Sequence, residues 1–399
     1  MSCVILSEVA VREASGNAVE RSLPPDRSQA GSRRTVTSKI PACAVVYSIQ
    51  LMLVHENLPL APLTAFRIGG PARFLIEATS PAEVQEAVTF ARSRNLPLFI
   101  LGGGSNLVIA DAGWPGVVLK ISIAGIEQRP GQYEGKILFD AGAGESWDRF
   151  VSHAVAANCA GVECLSGIPG SVGGTPVQNV GAYGQEVSET IESVEAFDLH
   201  DGQVRELCAE ACGFSYRSSI FNTTERGRFI ILRVTYSLTL NGAPHIEYAD
   251  LKRHFDGTSP TLAETREAVR EIRARKGMLI VPGDPDCQSA GSFFKNPTLT
   301  ASEHQDLQNR AAQKGLTLPA YPALESKKKV SAAWLVENSG FARGYDAGHV
   351  GISHKHALAI VNRGGATAEE VLALKNQIQQ RVYEAWRVKL EPEPVMVGF

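Results

Sequence analysis

The stretch Gly102-Gly103-Gly104-Ser105-Asn106 lies between two apolar runs, at 98–101 and 107–110. Three consecutive glycines leave backbone N–H groups uncovered by any Cβ, so an anion can lie directly on the main chain. Ser105 and Asn106 add hydrogen-bonding side chains at the same place, and a diphosphate is the ligand class that fits. A second glycine-rich stretch runs Gly167-Ile168-Pro169-Gly170-Ser171-Val172-Gly173-Gly174 and continues into Gln178-Asn179-Val180-Gly181-Ala182-Tyr183-Gly184. Its glycine density disfavours a helix or central strand and suits a long loop in backbone contact with a ligand. The first loop is not a P-loop, because no Gly-Lys-Ser/Thr follows it. It is also a poor Rossmann fingerprint: the third glycine would fall at Leu107, and residues 107–110 read as extended. The expectation is a diphosphate cofactor held by loops between short strands.

Metal chemistry is not expected. His354 and His356 alternate in an extended-looking run, but no third ligand is evident. The seven cysteines (Cys3, Cys43, Cys159, Cys164, Cys208, Cys212 and Cys287) are odd in number and contain no C-x-x-C pair. That argues against a disulfide framework or a zinc site and fits a reducing cytosol. Cys208 and Cys212 stand four apart and would approach on a helix, where plain packing is the expected role.

The elements that must position these loops are legible from caps and periodicity. With 399 residues, the chain is long enough for two or three domains. Its 44% hydrophobic and 20% charged residues are those of a globular protein, and a formal net charge of -3 argues against a general nucleic-acid binder. No apolar run approaches the ~18 residues of a membrane span. Residues 1–50, rich in Ser, Arg and Ala, read as a disordered extension; the alternative is a true start at Met52. Ser80, Pro81 and Glu83 predict an N-cap, a first helical residue and a reciprocal capping partner. Helices are expected over 146–157, 261–276, 300–314 and 367–386, the last three opening T-x-x-E. Strands are expected over 98–101, 117–121, 137–141, 193–199, 203–207, 229–240, 357–362 and 395–397, with Asp201-Gly202 as a hairpin turn. Residues 282–288 read as loop, and Glu325-Ser326-Lys327-Lys328-Lys329 as a solvated turn.

Six ordered motifs then carry a resemblance. They are Thr64-Ala65-Phe66-Arg67-Ile68-Gly69-Gly70, residues 101–106, Ile168-Pro169-Gly170 with residues 178–184, Phe214-Ser215-Tyr216-Arg217-Ser218-Ser219-Ile220-Phe221, Ala290-Gly291-Ser292-Phe293-Phe294-Lys295-Asn296-Pro297, and Leu390-Glu391-Pro392-Glu393. In this order they resemble the UDP-N-acetylenolpyruvoylglucosamine reductase (MurB) family of bacterial peptidoglycan synthesis, over nearly everything from about Leu60 to Val397. The resemblance implies an α+β fold: a two-subdomain FAD-binding module of the vanillyl-alcohol-oxidase type (52–122 and 123–260), then an α/β substrate-binding domain (261–399). Its last strand is drawn as returning to the FAD module. Residues 246–251 resemble the tyrosine-loop subtype (type I).

The resemblance also implies the chemistry. NADPH reduces FAD, a hydride then reaches the β-carbon of UDP-N-acetylglucosamine enolpyruvate, and the α-carbon is protonated to give UDP-N-acetylmuramate. FAD contacts fall on Gly102, Gly103, Gly104, Ser105, Asn106, Pro169, Gly170, Gly173, Gly174, Gln178, Asn179, Gly181, Ala182 and Tyr183. Negative charge develops on the α-carbon and its carboxylate, and Arg217 is expected to stabilise it. Ser292 is the proton donor by family match, and needs a neighbour that stabilises its alkoxide or a proton relay. Glu393 is expected to have a raised pKa and to act with Arg217. Tyr216, Tyr248, Lys276, Asn296 and Asn338 match positions near the UDP or the cofactor. Pro394 replaces a β-branched residue usual in the family and is expected to alter the last strand's hydrogen bonding. A cytoplasmic monomer without nucleic-acid or membrane partners is expected. The alternatives are another FAD-dependent oxidase or dehydrogenase of the same superfamily, and a nucleotide-sugar sensor without turnover.

Overall fold

The computed structural model describes residues 53–322 and 327–399; the readings of residues 1–50 and of Cys3 and Cys43 fall outside them. Helix Pro81–Ser93 begins where Ser80 Oγ accepts the Glu83 N–H, and Pro81 sits where its missing N–H costs nothing. The Glu83 carboxylate turns back to the N–H and hydroxyl of Thr79, one residue earlier than the capping pattern predicts. The helix buries Val84, Ala87, Val88 and Ala91. In the adjacent four-stranded sheet, Val54–Pro59 lies antiparallel to Pro71–Ala78, which runs parallel to Trp114–Ile121. Leu98–Leu101 is the other edge, also parallel to Trp114–Ile121. The first glycine loop leaves the carboxyl end of that edge strand, the end of a parallel sheet at which ligands bind.

A second, antiparallel sheet follows in the order Val204–Cys208, Ile191–Asp198, Phe229–Leu240, Lys136–Gly142, Ile126–Pro130. Helix Trp147–Ala156 presses Trp147, Phe150, Val151 and Ala154 onto it. The Phe150 ring lies 4.6 Å from that of Tyr236 and 5.3 Å from that of Trp147. One continuous apolar cluster, from Ile76 to Leu238, joins the two sheets. A separate cluster gathers Phe293, Leu335, Ile352, Ile360, Ile378 and Trp386 around helix Ala368–Trp386, and draws in Phe66, Ile68 and Val108 from beside the glycine loop.

Two long-range ties fix this C-terminal cluster to the loop. Val395–Val397 pairs in parallel with Leu107–Ile109, and the Val395 N–H donates to the Asn106 carbonyl at 2.9 Å. Pro394 lies in the bend before that strand, so the ladder loses no donor to it. Asp111 accepts the N–H groups of Ala368 (2.8 Å) and Glu369 (3.1 Å), a second cap beside that of Thr367. Asp111→Ala is expected to cost about 1 kcal/mol, measured by denaturant unfolding.

Several local expectations are corrected. The 282–288 loop contains a short 3-10 turn, Pro285–Cys287. Residues 357–358 form a turn, and only Ile360–Asn362 is strand. Lys328 and Lys329 belong to the strand Lys328–Val330 rather than to a turn, paired with Thr298–Leu299 and Ala320–Pro322. Cys208 ends a strand and Cys212 lies in a 3-10 turn, so no helix brings them together, and both thiols are free.

Candidate active site

The two glycine loops pack against each other and both line a cavity of about 470 Å³. Their approach requires glycine. A Cβ on Gly103 would lie 2.5 Å from Gly170 Cα, and one on Gly104, where φ is +64°, would lie 2.0 Å from the Leu63 carbonyl oxygen. Asn106 Nδ2 donates to Gln178 Oε1 at 2.8 Å and to the Glu393 carbonyl at 3.3 Å, joining both loops to the C-terminal segment. Among the described residues Ser171 Oγ is buried here with no hydrogen-bond partner, and a Cβ on Gly102 would lie 2.9 Å from it. An orphaned hydroxyl beside backbone that tolerates no side chain fits a dinucleotide such as FAD, whose diphosphate brings only acceptors.

Gly102, Gly103, Gly104, Ser105, Asn106, Pro169, Gly170, Gly174, Gln178, Gly181, Ala182 and Tyr183 all line the cavity. Gly173 and Asn179 do not. Gly173 packs on Ala143, while Asn179 is buried and binds Glu186, the Ser215 carbonyl and the Ser188 N–H. Both are scaffold. Tyr183-Gly184 turns the hairpin between Gly181–Ala182 and Gln185–Glu186, with φ of +50° and +90°.

Arg217, Ser292 and Glu393 come from distant parts of the chain and meet in this cavity. Arg217 has φ +54°, a conformation costing a non-glycine residue about 1–2 kcal/mol, which the surrounding turn imposes. Ser219 Oγ ties that turn to the Val177 carbonyl at 2.7 Å. The guanidinium is anchored by the Gly181 carbonyl (2.7 Å) and the Asn179 carbonyl (3.5 Å). Its Nε lies 3.4 Å from Glu393 Oε1: an ion-pair distance, without the alignment of a hydrogen bond. Glu393 is placed by its N–H, which donates to the Phe293 carbonyl at 2.9 Å next to Ser292. Burial pushes the Glu393 carboxyl above its ordinary range, against the opposing pull of Arg217 and Lys295. Glu391, two residues earlier, is exposed and faces Lys295.

A raised folded-state pKa means that the fold is undisturbed by Glu393 below the ordinary carboxylate value. It loses stability as pH climbs from there through the raised value. Glu393→Gln is therefore expected to gain stability relative to wild type as pH rises above the ordinary carboxylate value, read as a Tm difference in flavin-free protein. A Tm difference that stays constant with pH would contradict a raised Glu393.

Ser292 Oγ lies 3.0 Å from His356 Nε2. His356 is half-buried, and its pKa is pushed down to about 4 by desolvation, then by the charges of Lys276, Arg343 and Arg273, so the ring is neutral near pH 7. His354 instead faces Asp286. Also in the lining, Tyr183 and Tyr248 meet edge to face at 5.3 Å, with Lys276 close to both rings and paired to Asp250 at 2.6 Å. Asn296, Asn338 and Tyr216 are not among the lining residues. Asn296 Oδ1 accepts the Ala332 N–H, Asn338 caps helix Ala332–Glu337, and Tyr216 lies beside Lys329.

Sequence reasoning missed Arg273 and the pairing of Ser292 with His356. Arg273 is buried and lines the cavity, its Nε without a partner. A signal for it existed: it follows Ala268, Val269 and Ile272 on the apolar face of helix Leu262–Arg275. No local pattern announces the histidine.

Comparison with known proteins matches residues 72–207 to an FAD binding domain, and residues 284–397 to the UDP-N-acetylenolpyruvoylglucosamine reductase C-terminal domain. A Streptomyces coelicolor protein named UDP-N-acetylenolpyruvoylglucosamine reductase is 46% identical over 95% of this chain and 98% of its own. The Mycobacterium tuberculosis protein of that name is 41% identical over 86% of this chain and 95% of its own. The crystal structure of the Thermus caldophilus protein superimposes with a TM-score of 0.58 at 28% identity, covering 87% of this chain and 100% of that one.

Proposed function

This chain belongs to the UDP-N-acetylenolpyruvoylglucosamine reductase family, and we propose that it reduces UDP-N-acetylglucosamine enolpyruvate to UDP-N-acetylmuramate in peptidoglycan synthesis. The observation that carries this reading is the convergence of Arg217, Ser292 and Glu393 in the cavity bounded by the glycine loops. Those loops would hold FAD, which when bound would supply hydride chemistry, carrying a hydride from NADPH to the enolpyruvyl β-carbon.

The side chains handle the charge and the proton. Arg217, permanently cationic and fixed by two carbonyls, stabilises the negative charge that develops on the substrate carboxylate and α-carbon. Glu393, held toward its protonated form by burial, sits beside that charge with less repulsion than an ordinary carboxylate would exert. Ser292 delivers its proton to the α-carbon. In the tautomer protonated at Nε2, His356 donates to Ser292 Oγ, leaving the serine O–H free to point at the carbon. The same bond then stabilises the alkoxide as it forms, which is the help a serine acid requires. Arg273 and Lys276 add positive charge for anionic groups of cofactor or substrate. The domain division read from the sequence, the five substrate contacts and a cytoplasmic monomer that engages neither nucleic acid nor membrane belong to the same proposal. Among the described residues no helix is long and apolar enough to cross a membrane.

Anaerobic flavin titration tests the reading. NADPH should bleach the yellow protein, and UDP-N-acetylglucosamine enolpyruvate should restore the colour. Rapid recovery with oxygen alone would indicate an oxidase, and no bleaching would indicate a sensor.

A further inference from the structure

Lys329 is the unexpected charge beside this site. Its Nζ lies 3.7 Å from the centroid of the Tyr216 ring, and the Arg217 guanidinium approaches the same ring at 5.5 Å. Two cations therefore share one aromatic side chain. Lys329 is half-buried, and among the described residues it has no carboxylate at ion-pair distance and no hydrogen-bond acceptor. Burial lowers its pKa; the Glu186 carboxylate opposes that shift, and Arg217 acts with burial. Glu186 makes no ion pair with it, so the half-buried ammonium is incompletely compensated and gains from an anionic ligand.

The register makes the placement specific. Lys329 is the middle residue of strand Lys328–Val330, opposite Thr298 on one side and Tyr321 on the other. Lys328 is exposed and Val330 buried, while Lys329 reaches Tyr216. Arg217 has its terminal nitrogens committed to the Asn179 and Gly181 carbonyls. The three N–H donors of Lys329 remain for a ligand that enters past Tyr216.

We propose that Lys329, seated on Tyr216, is a substrate-binding residue that donates to an anionic oxygen group of the nucleotide sugar. The inference rests on the functional reading above and extends it to a strand that carries none of the family's motifs. Both the diphosphate and the enolpyruvyl carboxylate offer such oxygens. The compound UDP-N-acetylglucosamine separates them, because it has the diphosphate and lacks the carboxylate.

The test compares Lys329→Met, Lys329→Arg and wild type as flavin-loaded enzymes. Lys329→Met should raise KM for the enolpyruvyl substrate by about 10–100-fold, the range of one charge-assisted hydrogen bond, with little change in kcat. Lys329→Arg should recover most of that loss, and Lys328→Met, on the exposed neighbour, should change nothing. The dissociation constant of UDP-N-acetylglucosamine, followed by perturbation of the flavin spectrum, is measured alongside. If it rises in step with KM, the contact is to the diphosphate; if KM alone rises, it is to the carboxylate. If neither moves in Lys329→Met while wild type turns over, the assignment of Lys329 is overturned and the functional reading stands. If wild type does not turn over, the functional reading fails, and the UDP-N-acetylglucosamine constant still tests Lys329.

Discussion

Ser292→Ala is expected to remain yellow, to be bleached by NADPH at the wild-type rate, and to return its hydride to the enolpyruvyl substrate about 10²–10⁴-fold more slowly, the usual contribution of a positioned general acid. The reason for the selectivity is positional. Ser292 contributes no backbone to the glycine loops, and among the described residues its hydroxyl bonds His356 rather than either loop, so cofactor retention should not depend on it. Its Oγ is engaged by His356 alone, across 64 residues of sequence. Stopped-flow measurement of the two half-reactions separates the steps. His356 acts through the serine, so its removal should slow the second half-reaction in wild type and have no further effect once Ser292 is alanine. Wild-type reoxidation by Ser292→Ala would remove this residue from the proton transfer. A further decline in the double variant would mean that His356 touches the substrate independently.

Gly103→Val should give a colourless protein of reduced stability. A Cβ at this position meets Gly170 Cα at 2.5 Å, the Gly170 carbonyl carbon at 2.6 Å and the Ser171 nitrogen at 2.7 Å, all of them main-chain atoms that cannot rotate away. Valine adds branched bulk to that clash, and the two loops must separate. Overpacking of this kind costs about 3 kcal/mol or more where backbone has to move. Separation also pulls apart the Asn106–Gln178 bond at the cavity. The measurements are the ratio of flavin to protein absorbance after purification and the denaturant midpoint. Gly125→Ala is a useful contrast: at that glycine a Cβ meets nothing within 4 Å, so its positive φ of +112° is the only source of strain, and flavin content should be retained.

The capping boxes at Thr261, Thr300 and Thr367 form as their T-x-x-E patterns require, because an N-cap and its N3 partner are set by atoms three residues apart. The glycine loops are equally local: three glycines bare the backbone whatever surrounds them. The order of the six motifs was enough to indicate family, cofactor and reaction. What the residues do one by one was decided elsewhere. Asn296 and Asn338 match ligand-contact positions, yet in the folded chain both amides bond helix Ala332–Glu337 outside the cavity lining, because an amide near a helix end can serve either purpose and only packing decides where it lies. Lys329 looked solvated because its neighbours are charged, yet strand register lays it on Tyr216. Glu393 and Asn106 are 287 residues apart and share a hydrogen bond. Hydrophobic period, caps and turn residues act within a few residues of themselves, so sequence determined the elements and the cofactor cradle. The pKa of Glu393, the neutral His356 and the anchoring of Arg217 depend on which distant groups exclude water from one another, and only the folded chain fixes that.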